Sequence, residues 1–84
     1  MSSKTFDGVR FNAYPNDHDP PHIDAEVDGK LMQFVFETPS QWPYIKYKDF
    51  HIKNQDAKRA FKIFRRRQGT LRKMYNDQNA KENK

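Results

Sequence analysis

Cysteine is absent from this 84-residue chain, which removes disulfide bridges and Cys-containing zinc sites from the ways so short a chain can be reinforced. Chains of this length bury only a marginal core, so histidines, carboxylates or self-association are left as staples. A reducing compartment, the cytoplasm, is the natural setting. Also missing is an apolar run near the roughly 18 residues of a spanning helix. Met1-Ser2-Ser3-Lys4 passes into Phe6-Asp7-Gly8 without the apolar core of a signal peptide, so neither secretion by such a signal nor a membrane association is expected. No internal repeat is visible, and the length leaves room for one domain.

Acid is scarce where base is abundant. Residues 1–44 hold three Lys or Arg against seven Asp or Glu, a net of −4, whereas residues 45–84 hold thirteen against four, a net of +9. The basic half suits a polyanion such as nucleic acid. The acidic half suits a cation, a basic partner or another copy of the chain.

Asp56 to Tyr75 has the periodicity of one long helix. At about 100° per residue, Ala57, Ala60, Phe61, Ile63, Phe64, Leu71, Met74 and Tyr75 share an arc of about 160°, the width of a core-facing stripe. Lys58, Arg59, Lys62, Arg65, Arg66, Arg72 and Lys73 occupy an opposing arc of about 140°, and Arg67 strays toward the apolar side. Asn54 is the expected N-cap, with Asp56 in the first turn where a carboxylate suits the helix dipole. Gly69, inside the cationic arc, has two readings: a weak point between two shorter helices, or a gap that lets a phosphate or partner backbone approach. The apolar phase continues across it, which favours one continuous helix.

Upstream the period is two. Val9, Phe11 and Ala13 alternate with Arg10, Asn12 and Tyr14 as in a half-buried strand, and Pro15 to Pro21 breaks it into a loop. His22 to Val27 alternates again. Asp28-Gly29 is a two-residue type I′ hairpin turn, which sets Val27 opposite Lys30, Ala25 beside Met32 and Ile23 beside Phe34. The core face then collects Ile23, Ala25, Val27, Met32, Phe34 and Phe36, while Glu26 and Leu31, Asp24 and Gln33, and His22 and Val35 make a mixed opposite face. Thr38 to Pro43 is a turn-rich crossing around Trp42, and Tyr44 to Tyr47 adds a short strand. The expected architecture is α+β: a small antiparallel sheet of three to four strands packed against one long C-terminal helix. Residues 1–75 form the domain and 76–84 a disordered polar tail.

Phe6-Asp7-Gly8-Val9, with Asn16-Asp17-His18-Asp19-Pro20-Pro21-His22-Ile23-Asp24-Ala25, resembles a family of small bacterial domains of unknown function, family 4160, whose hallmark reads His-x-Pro-Pro-His-x-His. The resemblance extends through the hairpin into the helix and leaves out the stretch around Trp42 and the basic stripe. It implies strands followed by a helix and a place in small regulatory or toxin–antitoxin-like gene pairs. His18 and His22 match the first two histidines, and Asp24 stands in place of the third. Two histidines and a carboxylate can serve as a metal ligand set, or as acid and base in phosphodiester cleavage, where Asp for His alters the pKa match. The plainer reading is that His18 caps the proline loop and His22 hydrogen-bonds across the strand.

The stripe has few acidic i,i+4 partners, so its charges repel one another or meet anions; its plainer role is a solvated face. Trp42, Tyr44, Tyr47 and Phe50 alternate with Lys46 and Lys48, a mixture suited to base stacking or, more simply, to closing the core. The leading functional expectation is a small basic non-enzymatic binding module for nucleic acid or a nucleoprotein, with no cofactor. One alternative is an inhibitory or interaction partner docking through the basic helix or acidic hairpin, with self-association left open. Another is a small nuclease using His18, His22 and Asp24 with a divalent metal.

Overall fold

Two Asp-Gly pairs shape the sheet. Asp7-Gly8 and Asp28-Gly29 both take positive φ at both positions, 51° and 85° in the first and 50° and 77° in the second, the condition for a tight hairpin whose twist matches its strands. The computed structural model describes residues 1–15 and 20–79. Its strands are β1 (Ser2–Phe6), β2 (Val9–Ala13), β3 (His22–Val27), β4 (Lys30–Val35) and β5 (Tyr44–Lys48), followed by helices α1 (Asn54–Arg66) and α2 (Gln68–Asn79). The strands form one antiparallel meander in chain order. Five strands therefore replace the expected three to four. The addition is β1, whose alternation is almost invisible because Phe6 is its lone apolar residue and most of the strand is exposed.

The β3–β4 register is the expected one, from Val27 opposite Lys30 to His22 opposite Val35. β5 pairs with β4 out of step: Gln33 faces Tyr47 but Phe34 faces Ile45, which leaves Lys46 as an extra, bulged residue.

Both helices pack on one face of the sheet, α1 against β3 and α2 across β1, β2 and β3. The core between them is largely aromatic. Phe34, fully buried, lies 4.9 Å from the Phe64 ring, 5.6 Å from Phe61 and 6.4 Å from Phe11. Phe36 then links Phe64 at 5.4 Å to Tyr75 at 5.8 Å. Such tilted ring pairs add to what burial alone contributes.

One continuous helix is not formed. The break falls at Arg67 (φ −102°, ψ 16°), two residues before Gly69, and it leaves the apolar phase intact: Ala57, Ala60, Ile63 and Phe64 of α1 and Leu71, Met74 and Tyr75 of α2 are all buried. Arg67 N–H still bonds Ile63 O at 2.9 Å, and Leu71 N–H bonds Arg67 O at 3.0 Å. The two short helices between them cover the sheet, α1 over β3 and α2 over β1, β2 and β3. The Arg67 guanidinium, which strays from the cationic arc, sits 4.8 Å from the Phe6 ring centroid.

Lys53, not Asn54, takes the N-cap position, with extended backbone and no side-chain cap bond. At the other end α2 runs to Asn79, past the expected start of a disordered tail at Asn76. Asn79 Nδ2 donates to Tyr14 O at 3.1 Å and to Tyr75 O at 2.8 Å, fastening the last turn to the end of β2. Residues 80–84 lie outside the described residues. No helix among the described residues is long and apolar enough to cross a membrane.

Ahead of α1, Asp49 Oδ1 accepts the His51 N–H at 2.8 Å and lies 3.2 Å from His51 Nδ1. The backbone N–H bond, helped by His51's side chain and by Lys30, holds this carboxyl below its ordinary value of 3.8. A depressed folded pKa contributes stability that is complete above the ordinary value and lost as pH falls through the folded one. Urea titrations between pH 5 and pH 2.5 should therefore show a small acid-induced loss that Asp49→Asn reduces; equal loss in both proteins would contradict this.

Candidate functional site

The break at Arg67 divides the seven-residue stripe. Lys58, Lys62, Arg65 and Arg66, all exposed on α1, line one open groove of about 500 Å³ together with Phe61, Glu37 and Gln68. The other three cations are drawn elsewhere. Arg59 Nη1 donates to Asp7 O at 2.8 Å, on the first hairpin. Arg72 is half-buried, with its guanidinium 5.3 Å from the Phe36 ring centroid and a long 3.4 Å bond to Glu37 O. Lys73 pairs with Asp77 at 3.8 Å, an i,i+4 ion pair that exists because α2 extends beyond Tyr75. Among the described residues, no carboxylate lies within 4.0 Å of the four groove cations.

Phe61 gives the groove an apolar floor. It belongs to the apolar arc yet is only half-buried, one side against Phe34 and Phe64 and the other toward the groove. The far wall comes from the strand exit. Glu37 N–H donates to Gln68 Oε1 at 2.8 Å, clamping the end of the β4 segment to the start of α2. Glu37 is also shared with a second cleft of about 320 Å³, formed by Glu37, Thr38, Pro39, Ser40, Gln41 and Trp42. A third groove, of about 420 Å³, continues past Phe36 and Pro39 to Gly69 and Arg72. Glu37 and Gln68 escape sequence reading because the groove joins three separate elements; neither residue has a local pattern that marks it.

No family model, curated protein or solved structure matches the chain. The resemblance to family 4160 thus rests on its motif, and the chemistry of the site rests on the residues themselves.

Of the expected metal ligands, His18 lies outside the described residues. His22 is buried, and its Nδ1–H donates to Pro20 O at 3.0 Å; Phe36 N–H bonds the neighbouring Pro21 O at 3.0 Å. Asp24 Oδ1 accepts from Gln33 Nε2 at 3.1 Å. Beside them, buried Asn12 accepts from Ser3 Oγ at 2.6 Å and donates to Glu26 at 2.8 Å. These bonds join β1, β2, β3 and β4 on the face away from the helices. Among the described residues no group of three His, Asp or Glu side chains is gathered as a metal site.

The aromatics around β5 do not close the core. Trp42 is 78% exposed and Phe50 90%, and Tyr44, Tyr47 and Ile45 are also exposed. Tyr47 and Tyr44 stand opposite Gln33 and Val35, on the face away from the helices.

Gly69 has ordinary helical backbone, and a Cβ added there meets nothing within 4 Å. Gly69→Ala is therefore expected to stabilise α2 by up to about 1 kcal/mol, raising Tm by roughly 4–8 °C in a domain of this size. A thermal melt checks it; an unchanged or lower Tm would show that the open space at Gly69 is not available to a side chain.

Proposed function

We propose that the protein is a non-enzymatic binding module for nucleic acid, held through the α1 groove. The observation that carries this reading is the convergence of Lys58, Lys62, Arg65 and Arg66 around the half-buried Phe61 ring, without a neutralising carboxylate within 4.0 Å among the described residues. A merely solvated face has no reason to gather four cations against a flat apolar floor. Phosphates meet the cations, and sugar or base meets the ring. The resemblance to family 4160 supports a place in a small regulatory pair, where such a module acts on nucleic acid or a nucleoprotein.

The test is salt dependence. Neutralising several phosphates releases counterions, so affinity for a generic oligonucleotide should fall steeply as KCl rises. Absence of binding at low salt, or binding indifferent to salt, would overturn the proposal.

A second reading is favoured by the sheet's other face, where exposed Leu31, Tyr44 and Tyr47 lie beside Asp24 and Glu26. Apolar side chains rimmed by acid suit a basic protein partner. A stoichiometric protein complex that survives nuclease treatment, and is lost in Leu31→Ser with Tyr47→Ser, distinguishes it from the first reading.

A further inference from the structure

We propose that the groove takes single-stranded rather than duplex nucleic acid, and that Trp42 is the platform on which a base stacks. The inference rests on the nucleic-acid reading above and adds to it the strand state and a second contact surface. Three observations carry it. Trp42 is 78% exposed on a chain whose core is otherwise well filled with rings, so its indole contributes little to folding. Its loop is already ordered: Thr38 N–H bonds Gln41 O at 2.9 Å, and Gln41 N–H bonds Thr38 O at 3.2 Å. A loop whose backbone is already bonded loses less freedom when a ligand arrives. The Trp42 cleft and the cationic groove also share Glu37 as a common wall.

One strand laid along this path places its phosphates against Lys58, Lys62, Arg65 and Arg66 and turns a base toward the indole. Within a duplex, both faces of each base are occupied by neighbours, so an aromatic ring reaches a base face only where the strand is single. Glu37 between the two clefts disfavours a phosphate there, which keeps the backbone on the α1 side. The two clefts, of about 320 and 500 Å³, fall in the size range of small-ligand sites, about 300–1,000 Å³.

Trp42 is the chain's single tryptophan, so emission excited at the red edge of its absorption, beyond that of the four tyrosines, reports on this ring alone. The experiment titrates the full chain at low salt with a twelve-nucleotide oligothymidine strand, with a duplex of equal length, and with heparin as a polyanion without bases. The expected result is tighter binding of the single strand than of the duplex, with quenching of Trp42 emission. Trp42→Ala should weaken the single strand roughly five- to hundredfold and Trp42→Phe much less, while heparin binding stays as in the wild type. A circular-dichroism melt confirms that both variants fold. Equal or tighter duplex binding, emission that does not change at saturation, or Trp42→Ala binding like the wild type would each overturn the stacking proposal. Heparin binding retained in those cases leaves the cationic groove standing; no binding of any of the three polyanions removes both.

Discussion

Lys62→Gln combined with Arg65→Gln is expected to halve the salt sensitivity of nucleic-acid binding while leaving the fold intact. Four phosphate contacts on a single strand give a log–log slope of about −2.8, an affinity loss of about 50-fold between 50 and 200 mM salt. With Lys58 and Arg66 remaining, the slope becomes about −1.4 and the loss about sevenfold. Absolute affinity at low salt should fall as well. Both residues are exposed, so the unfolding free energy should move by less than about 0.5 kcal/mol for each. Lys73→Gln is the matched control, since Lys73 stands outside the groove and already pairs with Asp77. Fluorescence anisotropy of a labelled oligonucleotide across a KCl series measures all three slopes. An unchanged slope in the double variant would reduce the groove to a solvated surface.

Phe34→Ala should give the largest loss of stability. Its ring is fully buried and touches Phe11, Phe61 and Phe64, joining the sheet to α1. Truncating such a residue costs about 3–5 kcal/mol through lost burial and the cavity left behind. Domains of this kind have about 5–15 kcal/mol in total, so much of the margin disappears. The melting temperature should fall by at least about 12 °C, or the variant should fail to fold cooperatively. Urea unfolding gives the number, and a loss below 1 kcal/mol would mean that the aromatic cluster is not the centre of the core. Since Phe61 rests on Phe34, a folded Phe34→Ala protein should also bind nucleic acid more weakly, coupling core and groove.

Much of the sheet was legible because hairpins are local. Asp28-Gly29 fixed the β3–β4 register to the residue, and with it the buried row Ile23, Ala25, Met32 and Phe34. The same signal stands at Asp7-Gly8, but Ser2 to Thr5 carry no apolar alternation, so turn chemistry alone reveals β1. The helical core residues were legible from their period. The break at Arg67 was not, because the backbone bonds on either side persist and the apolar phase does not slip. The cations were legible as charges and not as a site. Their division depends on Asp7, Glu37 and Asp77, which lie on a hairpin, a strand exit and the last turns of α2. The metal reading took His18, His22 and Asp24 from the resemblance to the His-x-Pro-Pro-His-x-His motif. The described bonds of His22 to Pro20 and of Asp24 to Gln33 tie two of them to loop and sheet, while His18 lies outside the described residues.

The displaced residue on β5 has a consequence for how this protein behaves at high concentration. β5 ends the sheet, so its outward backbone groups are available to another strand, and the rings of Tyr44 and Tyr47 would reward such an encounter. A bulged, exposed Lys46 interrupts the regular spacing that a second strand must match. Irregular spacing and lysine together are common defences against sheet-to-sheet growth. The chain can thus keep aromatic side chains in water beside its outermost strand with the route to stacked, fibre-like association obstructed at Lys46.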